Sequence, residues 1–408
     1  MPGPIEGKVV LDLTHVLAGP FAGMVLSDLG ATVIKVEKPE IGDRARGTGP
    51  FIDDESSYFM SVNRGKLGLG INLAEPDGKE LFLKLIDKAD VVLENFVPGT
   101  MKRLGLDYEN LKIRNPGLIY AAISGFGQDG PYSSKAALDI IVQGMGGMLS
   151  ITGQPDGPPV RPGNSQGDIT AGLFAVIGIL AALQEKGRSG IGQMVDIGML
   201  DCQVAILENA FTRYLVTGDI PKPLGTRHPS TAPFQAFETK DGYITVAMAG
   251  GKDKWPLFCV ALGHIDLIDD PRFLDGWSRS QSYEELEPIL SSAMKQKTSQ
   301  EWLNEFEEVG IICGPVNTID KVVEDQQVKH RGMIRDIYHP RLGTIKGIGT
   351  PLKFSRTSAN ADGYAPSLGE HTIKVLRDIA GVTEEEIYRL EKNGTVSFLA
   401  SAYLDSNN

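Results

Sequence analysis

The chain has 408 residues, 41% of them hydrophobic and 23% charged, with a formal net charge of −12. That length exceeds one simple core and predicts two domains; the acidic balance argues against nucleic acid as the main partner but leaves room for an anionic ligand in a local basic pocket. The three cysteines, Cys202, Cys259 and Cys313, lie far apart with no CxxC spacing, which argues against both a disulfide framework and a structural zinc site.

The opening residues, Met1 to Lys8, lack the basic and apolar regions of a signal peptide. The apolar run from Leu173 to Leu183 is short for a bilayer and is flanked by Asp168 and Glu185. The expectation is a protein with no membrane association and a cytoplasmic localisation, although a mature mitochondrial form fits the same features.

Taken in order, the first part alternates strand and helix. Lys8 to Leu13 reads as a β-branched strand, and the loop His15 to Pro20 leads into a helix from about Phe21 to Leu29. Thr32 to Glu37 is a second strand, which completes a βαβ unit and predicts a parallel sheet. A dinucleotide site is disfavoured, because Gly19 and Gly23 are spaced GxxxG and no G-x-G-x-x-G is present. A helix from Pro76 to Lys88, a strand from Asp90 to Asn95, a short helix from Pro98 to Leu104 and a strand from Leu118 to Ile123 continue the alternation. Ligands of such sheets gather at the carboxyl ends of the strands. The loops after Leu13, Glu37, Asn95 and Ile123 are therefore the ones to watch.

Ile140 to Ser150 is apolar and glycine-rich, which suggests close helix packing. Arg161 to Ser165 reads as loop, and the apolar run behind it reads as a buried helix. Asp168 stands at or just before the first turn of that helix. Its simplest role is an N-cap; the sharper one is a carboxylate nucleophile, which a helix N-terminus keeps ionised.

Pro221, Pro223 and Gly225 mark a linker. Phe234 to Thr239 and Tyr243 to Met248 then flank an Asp241-Gly242 turn, the signature of a hairpin. Helices near 254–262, 283–295 and 299–309 follow, then extended segments at 333–338 and 343–354 and a last helix from about Thr383 to Asn393. The predicted domains are residues 1–218 as the first part of a large α/β domain, 219–325 as linker and small α+β domain, and 326–408 as a return to the large domain.

No Gly-x-Ser-x-Gly elbow, HExxH, Walker A or EF-hand motif occurs, and the six histidines are scattered, so a metal site has no support. Basic residues beside turns are more telling. Lys38, Arg44, Arg46, Arg64, Lys66, Lys102 and Arg103 all lie near predicted strand ends. Each alone reads as a solvated surface charge; as a set in an acidic chain they suggest a phosphate-bearing ligand.

Several stretches stand in a set order along the chain: Val10-Leu11-Asp12-Leu13-Thr14 with Ala18-Gly19-Pro20, Asp28-Leu29-Gly30-Ala31 with Val33 to Pro39, Glu94 to Gly99, Gly153 to Pro162, Gly167-Asp168, Gly190 to Gln193 with Asp196, Gly314 to Asn317, and Leu368 to Thr372. From about Gly7 to about Asn393 they resemble the class III CoA-transferases (CaiB/BaiF), the family of formyl-CoA, carnitine-CoA and dicarboxylate CoA-transferases and their racemase cousins. The resemblance implies a Rossmann-like parallel sheet in the large domain, a smaller α+β domain, and an interlocked homodimer. It makes Asp168 the nucleophile and coenzyme A a co-substrate, with no tightly bound cofactor. It assigns contacts with coenzyme A to Val16, Lys38, Ile71, Asn72, Leu73, Ala74, Asn95, Phe96 and Arg103, and places Asp139 in the same site. A lysine often near the CoA in relatives falls on Ala136, beside Lys135. A mobile glycine loop is represented by Gly250 and Gly251, whose amides are candidates for an oxyanion site or lid.

Racemase relatives carry a His-Asp pair where this chain has Leu138-Asp139, which leaves α-proton abstraction without its histidine and disfavours the racemase alternative. A non-catalytic acyl-CoA-binding protein is the other alternative. Leu17 stands where oxalate-using relatives carry Gln, which favours a longer or less polar acid. Succinyl-CoA to a dicarboxylate such as glutarate is the preferred pairing, with formyl-CoA the other donor type.

Overall fold

The computed structural model describes residues 1–248 and 254–399. Its largest sheet has seven strands. Across it run Val396–Ser397, Leu67–Ile71, Thr32–Glu37, Val9–Asp12, Val91–Glu94, Ile119–Ser124 and Met194–Gly198. All adjacent pairs are parallel except the first, where Val396 pairs antiparallel with Ile71. The parallel strands thus follow the doubly wound order third, second, first, fourth, fifth, sixth. The chain leaves the Val9–Asp12 strand in one direction and later resumes on its other side at Val91–Glu94. That reversal opens a crevice at the carboxyl ends of these two strands.

The strands are near-continuous apolar runs because both faces are covered. One face packs Leu11, Ile34, Leu69, Val92 and Tyr120 against Leu81, Phe82 and Leu85 of the Pro76–Ile86 helix. The other packs Val10, Val33, Leu93 and Ala121 against Ala22 and Leu26 of the Ala18–Asp28 helix and Ala171, Ala175 and Ile179 of the Gln166–Ser189 helix. The elements expected from periodicity form with shifted ends, whereas the sheet strands Leu67–Ile71 and Met194–Gly198 and the helices Ser57–Asn63, Tyr108–Arg114, Met199–Ile206 and Glu208–Thr217 lie where none was expected. The first helix begins at Ala18 rather than near Phe21, because a proline is tolerated in the first turn, whose amides have no partner within the helix.

The Gln166–Ser189 helix, at 24 residues, is by length and composition long and apolar enough to cross a membrane. The apolar run Leu173 to Leu183 understates it, because polar residues at both ends are also helical. Gly172, Ala175, Ile179 and Ala182 nonetheless lie buried within the unit, as in a core helix.

The contact pattern divides the chain into two compact units. The larger comprises Met1–Met148, Pro162–Phe211 and Gln326–Asn408; the smaller comprises Leu149–Arg161 and Thr212–Asp325. In the larger unit the returning segment closes the sheet edge. The Thr372 hydroxyl accepts from the Gly70 amide at 2.9 Å and donates to the Ser397 carbonyl at 2.7 Å. The His371 Nδ1 accepts from the Gly68 amide at 3.1 Å.

The smaller unit holds a three-stranded antiparallel sheet in the order Ile312–Pro315, Tyr243–Ala247, Phe234–Glu238. Lys254–Leu262, Tyr283–Met294 and Ser299–Glu308 cover one face of it. Phe237, Val246, Phe258, Trp302 and Phe306 form the core, with the Trp302 and Phe306 rings stacked at 5.1 Å. Thr298 and Glu301 form a capping box that starts the third helix.

Candidate active site

Every expected ligand-facing segment of the larger unit follows the carboxyl end of a parallel strand. Val16 follows Val9–Asp12, Lys38 follows Thr32–Glu37, Asn72 and Leu73 follow Leu67–Ile71, and Asn95 and Phe96 follow Val91–Glu94. Arg103 lies in the Thr100–Leu104 helix just beyond, and Asp139 and Asp168 come after Ile119–Ser124. A parallel sheet imposes this, since each strand must end on the same side before the chain crosses back.

The crevice is framed by two loops bound to each other. The Asn95 Oδ1 accepts from the His15 amide and its Nδ2 donates to the His15 carbonyl, both at 2.8 Å. The His15 and Phe96 rings lie 5.6 Å apart. Val16 takes φ 69°, a conformation that costs a β-branched side chain roughly 1–3 kcal/mol and that tends to mark functional sites. Its amide donates to Asp43 Oδ1 at 3.0 Å.

Asp168 occupies the third position of the Gln166–Ser189 helix, half-buried. It is therefore not the N-cap: that position is Ser165, whose side chain makes no capping hydrogen bond. The cap comes from another helix. Asp139, 8% exposed, accepts the Gly167 backbone amide on Oδ1 at 2.8 Å and the Gln143 side-chain Nε2 on Oδ2 at 2.7 Å. Gly167 permits this approach, since a Cβ there would meet Val142 Cγ2 at 2.8 Å and Asp139 Oδ1 at 3.1 Å. One turn along, Gly172 lets the backbone of the first helix come close: a Cβ would stand 2.7 Å from the Ala18 carbonyl. Asp168 lies four residues before Gly172, about 6 Å along the helix axis. The carboxylate is thus placed at the same edge as the His15–Val16 loop.

Not all the expected contacts lie open. Ile71 is 1% exposed, its side chain in the core and its backbone paired with Val396 at the sheet edge. Asn72 Oδ1 accepts from the Ala74 amide at 3.2 Å, and Leu73 packs on the core. Lys38, Arg44, Lys102 and Arg103 are exposed; Arg103 Nη2 donates to Thr100 Oγ1 at 2.9 Å. Lys135 is exposed and lies over the Tyr132 ring at 3.9 Å. Gly250 and Gly251 lie outside the described residues.

Three of the basic residues grouped as phosphate-facing are bound inside the larger unit instead. Arg46 pairs with Glu37 through Nε and Nη2 at 2.8 and 2.7 Å and lies over Phe59. Arg64 pairs with Asp28 at 2.5 Å. Lys66, 2% exposed, donates to Asp12 at 2.7 Å, to the Pro20 carbonyl at 2.9 Å and to Asn63 at 2.8 Å. Burial pulls the Lys66 ammonium down to about 8, against the attraction of Asp12. The strands carry Asp12 and Glu37 into the interior and the end of the first helix carries Asp28 there, and each buried charge then needs a partner.

Sequence reasoning passed over the residues beneath the loops. Lys35 and Asp43 are an ion pair at 2.9 Å with both side chains inaccessible to solvent. Glu94, 4% exposed, accepts the Phe96 amide at 2.7 Å, and burial pushes its carboxyl up to about 7. The available signal was polarity inside strands: Asp12, Lys35, Glu37 and Glu94 interrupt or end apolar runs next to the crevice. Among the described residues no group of three or more His, Cys, Asp or Glu is arranged to hold a metal ion.

The family model described as CoA-transferase family III matches residues 5–372. The chain is 40% identical to the succinyl-CoA:glutarate CoA-transferase of Mus musculus over 394 residues, spanning 96% of this chain and 90% of that protein. It is 39% identical over 383 residues to the succinate–glutarate CoA-transferase of Agrobacterium fabrum, spanning 92% and 96%. Among solved structures, a CAIB/BAIF family protein from Brucella suis aligns with a TM-score of 0.83 at 38% identity, covering 93% of this chain and 100% of that one.

Proposed function

Because the chain belongs to CoA-transferase family III, we propose that it moves coenzyme A from succinyl-CoA to a short dicarboxylate such as glutarate, with Asp168 as the nucleophile. The observation that carries the reading is the placement of Asp168: half-buried in the first turn of a long helix, at the edge where the crevice loops gather. The dicarboxylate preference is supported by the names of similar proteins, which act on glutarate, D-citramalate and mesaconate.

Exchange of coenzyme A between two acids needs a group that conserves the thioester's free energy, and a carboxylate does so. An Asp168 oxygen attacks the succinyl-CoA carbonyl and expels CoA thiolate, leaving an aspartyl–succinyl anhydride. The thiolate attacks the aspartyl carbonyl and releases succinate, leaving an aspartyl-CoA thioester. The acceptor carboxylate attacks that thioester, and the freed thiolate then attacks the acceptor's acyl carbon in the new anhydride, regenerating Asp168. Covalent catalysis divides one difficult exchange into easier steps, and each intermediate must be kept from water. Mixing the protein with succinyl-CoA alone, followed by peptide mass spectrometry, is expected to find coenzyme A, less one water, on the peptide containing Asp168. Absence of the adduct under rapid quench, with hydroxylamine trapping also negative, counts against the covalent route.

The proposal includes an interlocked homodimer. Leu173, Phe174 and Ile177 on the long helix are 44%, 39% and 60% exposed, and Leu138, Ile140, Ile141 and Met145 lie exposed on and beside the Asp139–Met145 helix that packs on it. A second copy of the chain covering this apolar surface gives it a partner. Sedimentation velocity is expected to show a dimer, and Ile177→Glu to shift the population toward monomer. An unchanged sedimentation coefficient in the variant places the interface elsewhere.

A further inference from the structure

We infer that the buried Lys35–Asp43 pair is a positioning device that holds Val16 in its left-handed conformation, so that the loop after the first strand is set to receive the acyl-CoA. The inference deepens the proposed function and rests on its assignment of that loop to coenzyme A.

Val16 is a β-branched residue at φ 69° and 37% exposed at the crevice. Nothing in a Val side chain favours this conformation; its Cβ branches crowd the backbone there. The surroundings must therefore impose it. The preceding residue is clamped on both sides, since Asn95 binds the His15 amide and carbonyl at 2.8 Å each. The decisive bond is the next one, in which the Val16 amide donates to Asp43 Oδ1 at 3.0 Å.

Asp43 is fixed in turn. It is 1% exposed, its Oδ1 also accepts the Ala45 amide at 2.9 Å, and its own amide donates to Glu37 Oε1 at 2.8 Å. Its Oδ2 meets Lys35 Nζ at 2.9 Å. The same ammonium donates to the Thr14 carbonyl, at the base of the loop. Lys35 comes from the second strand and Asp43 from the turn beyond it, so the pair ties the neighbouring strand to both ends of the Thr14–Val16 segment. A buried ion pair contributes little net stability. Its service here is geometric: two charges at one position leave the loop amide a single acceptor in a single place.

The test compares wild type, Val16→Gly, the paired change Lys35→Met with Asp43→Ala, and the combination of all three. The paired change removes both charges, so no lysine is left stranded. Dissociation constants for coenzyme A are read by titration calorimetry, and kcat by CoA transfer. Without its anchor Val16 relaxes to negative φ, and the paired change is expected to weaken coenzyme A binding about tenfold, with kcat within about twofold. In the Val16→Gly background the same change is expected to cost less than about threefold, since glycine takes positive φ without strain. Should the paired variant not fold, Asp43→Glu keeps a carboxylate on Lys35 but displaces it from the Val16 amide, and the same comparison applies. An equal loss in both backgrounds overturns the inference alone. Wild-type affinity in all the variants overturns the inference together with the assignment of the loop to coenzyme A.

Discussion

Alanine in place of Asp168 is expected to lower kcat for CoA transfer by at least about a thousandfold, the scale on which enzymes lose rate when a covalent nucleophile is removed. The fold has little reason to fail. Asp168 is half-buried at the third position of its helix, alanine is the best helix former, and loss of one favourable N-terminal charge costs about 0.3–1 kcal/mol. The Gly167 amide keeps its partner, because Asp139 supplies that cap from a neighbouring helix. Thermal melts should therefore nearly superimpose while transfer and the CoA adduct both vanish. Calorimetry should still detect coenzyme A, since binding is assigned to other loops. A variant that retains a tenth of wild-type turnover would remove Asp168 from the chemistry.

The largest stability effect is expected at Lys66. All three ammonium hydrogens are used, on Asp12, the Pro20 carbonyl and Asn63 at 2.7, 2.9 and 2.8 Å. Lys66→Met removes them together and leaves Asp12, which is 0% exposed, without its principal counter-ion. Breaking one side of a buried pair costs about 3–5 kcal/mol, because the survivor is an uncompensated charge. Urea unfolding should show that loss as a lower midpoint with an unchanged slope. Adding Asp12→Leu should recover much of it, since a buried ion pair replaced by apolar residues is often neutral. If Lys66→Met unfolds at the wild-type midpoint, the lysine is not serving as a structural counter-ion. The same contrast separates Lys66 from a phosphate ligand, whose loss would change coenzyme A affinity and leave the midpoint alone.

Much of the molecule was legible from periodicity. The strands at Thr32–Glu37 and Val91–Glu94 are apolar runs bounded by turn residues, and in the smaller unit the Asp241-Gly242 turn marks the hairpin whose register pairs Glu238 with Tyr243. The alternation of such runs with helical patterns implies a parallel sheet, and a parallel sheet puts its binding loops on one edge. The antiparallel edge strand Val396–Ser397 was not legible, because two residues carry no period; its pairing with Ile71 and Gly70 defines it, and Leu67–Ile71, interrupted by Gly68 and Gly70, was passed over too.

Asp168 shows where local reading stops. Read along the chain, a carboxylate opens a long apolar helix, and the motifs point to the family and to Asp168 as the proposed nucleophile. That this carboxylate is not the cap follows from the fold, in which Asp139 reaches the Gly167 amide across 28 residues of chain. Only the fold separated the exposed Lys38 and Arg103 from Arg46, Arg64 and Lys66, which the sequence groups as equal charges beside turns. The reason is physical. Pattern along a chain reports which residues favour burial, whereas a charge is free for a ligand or spent on a partner according to what folding brings within about 3 Å of it.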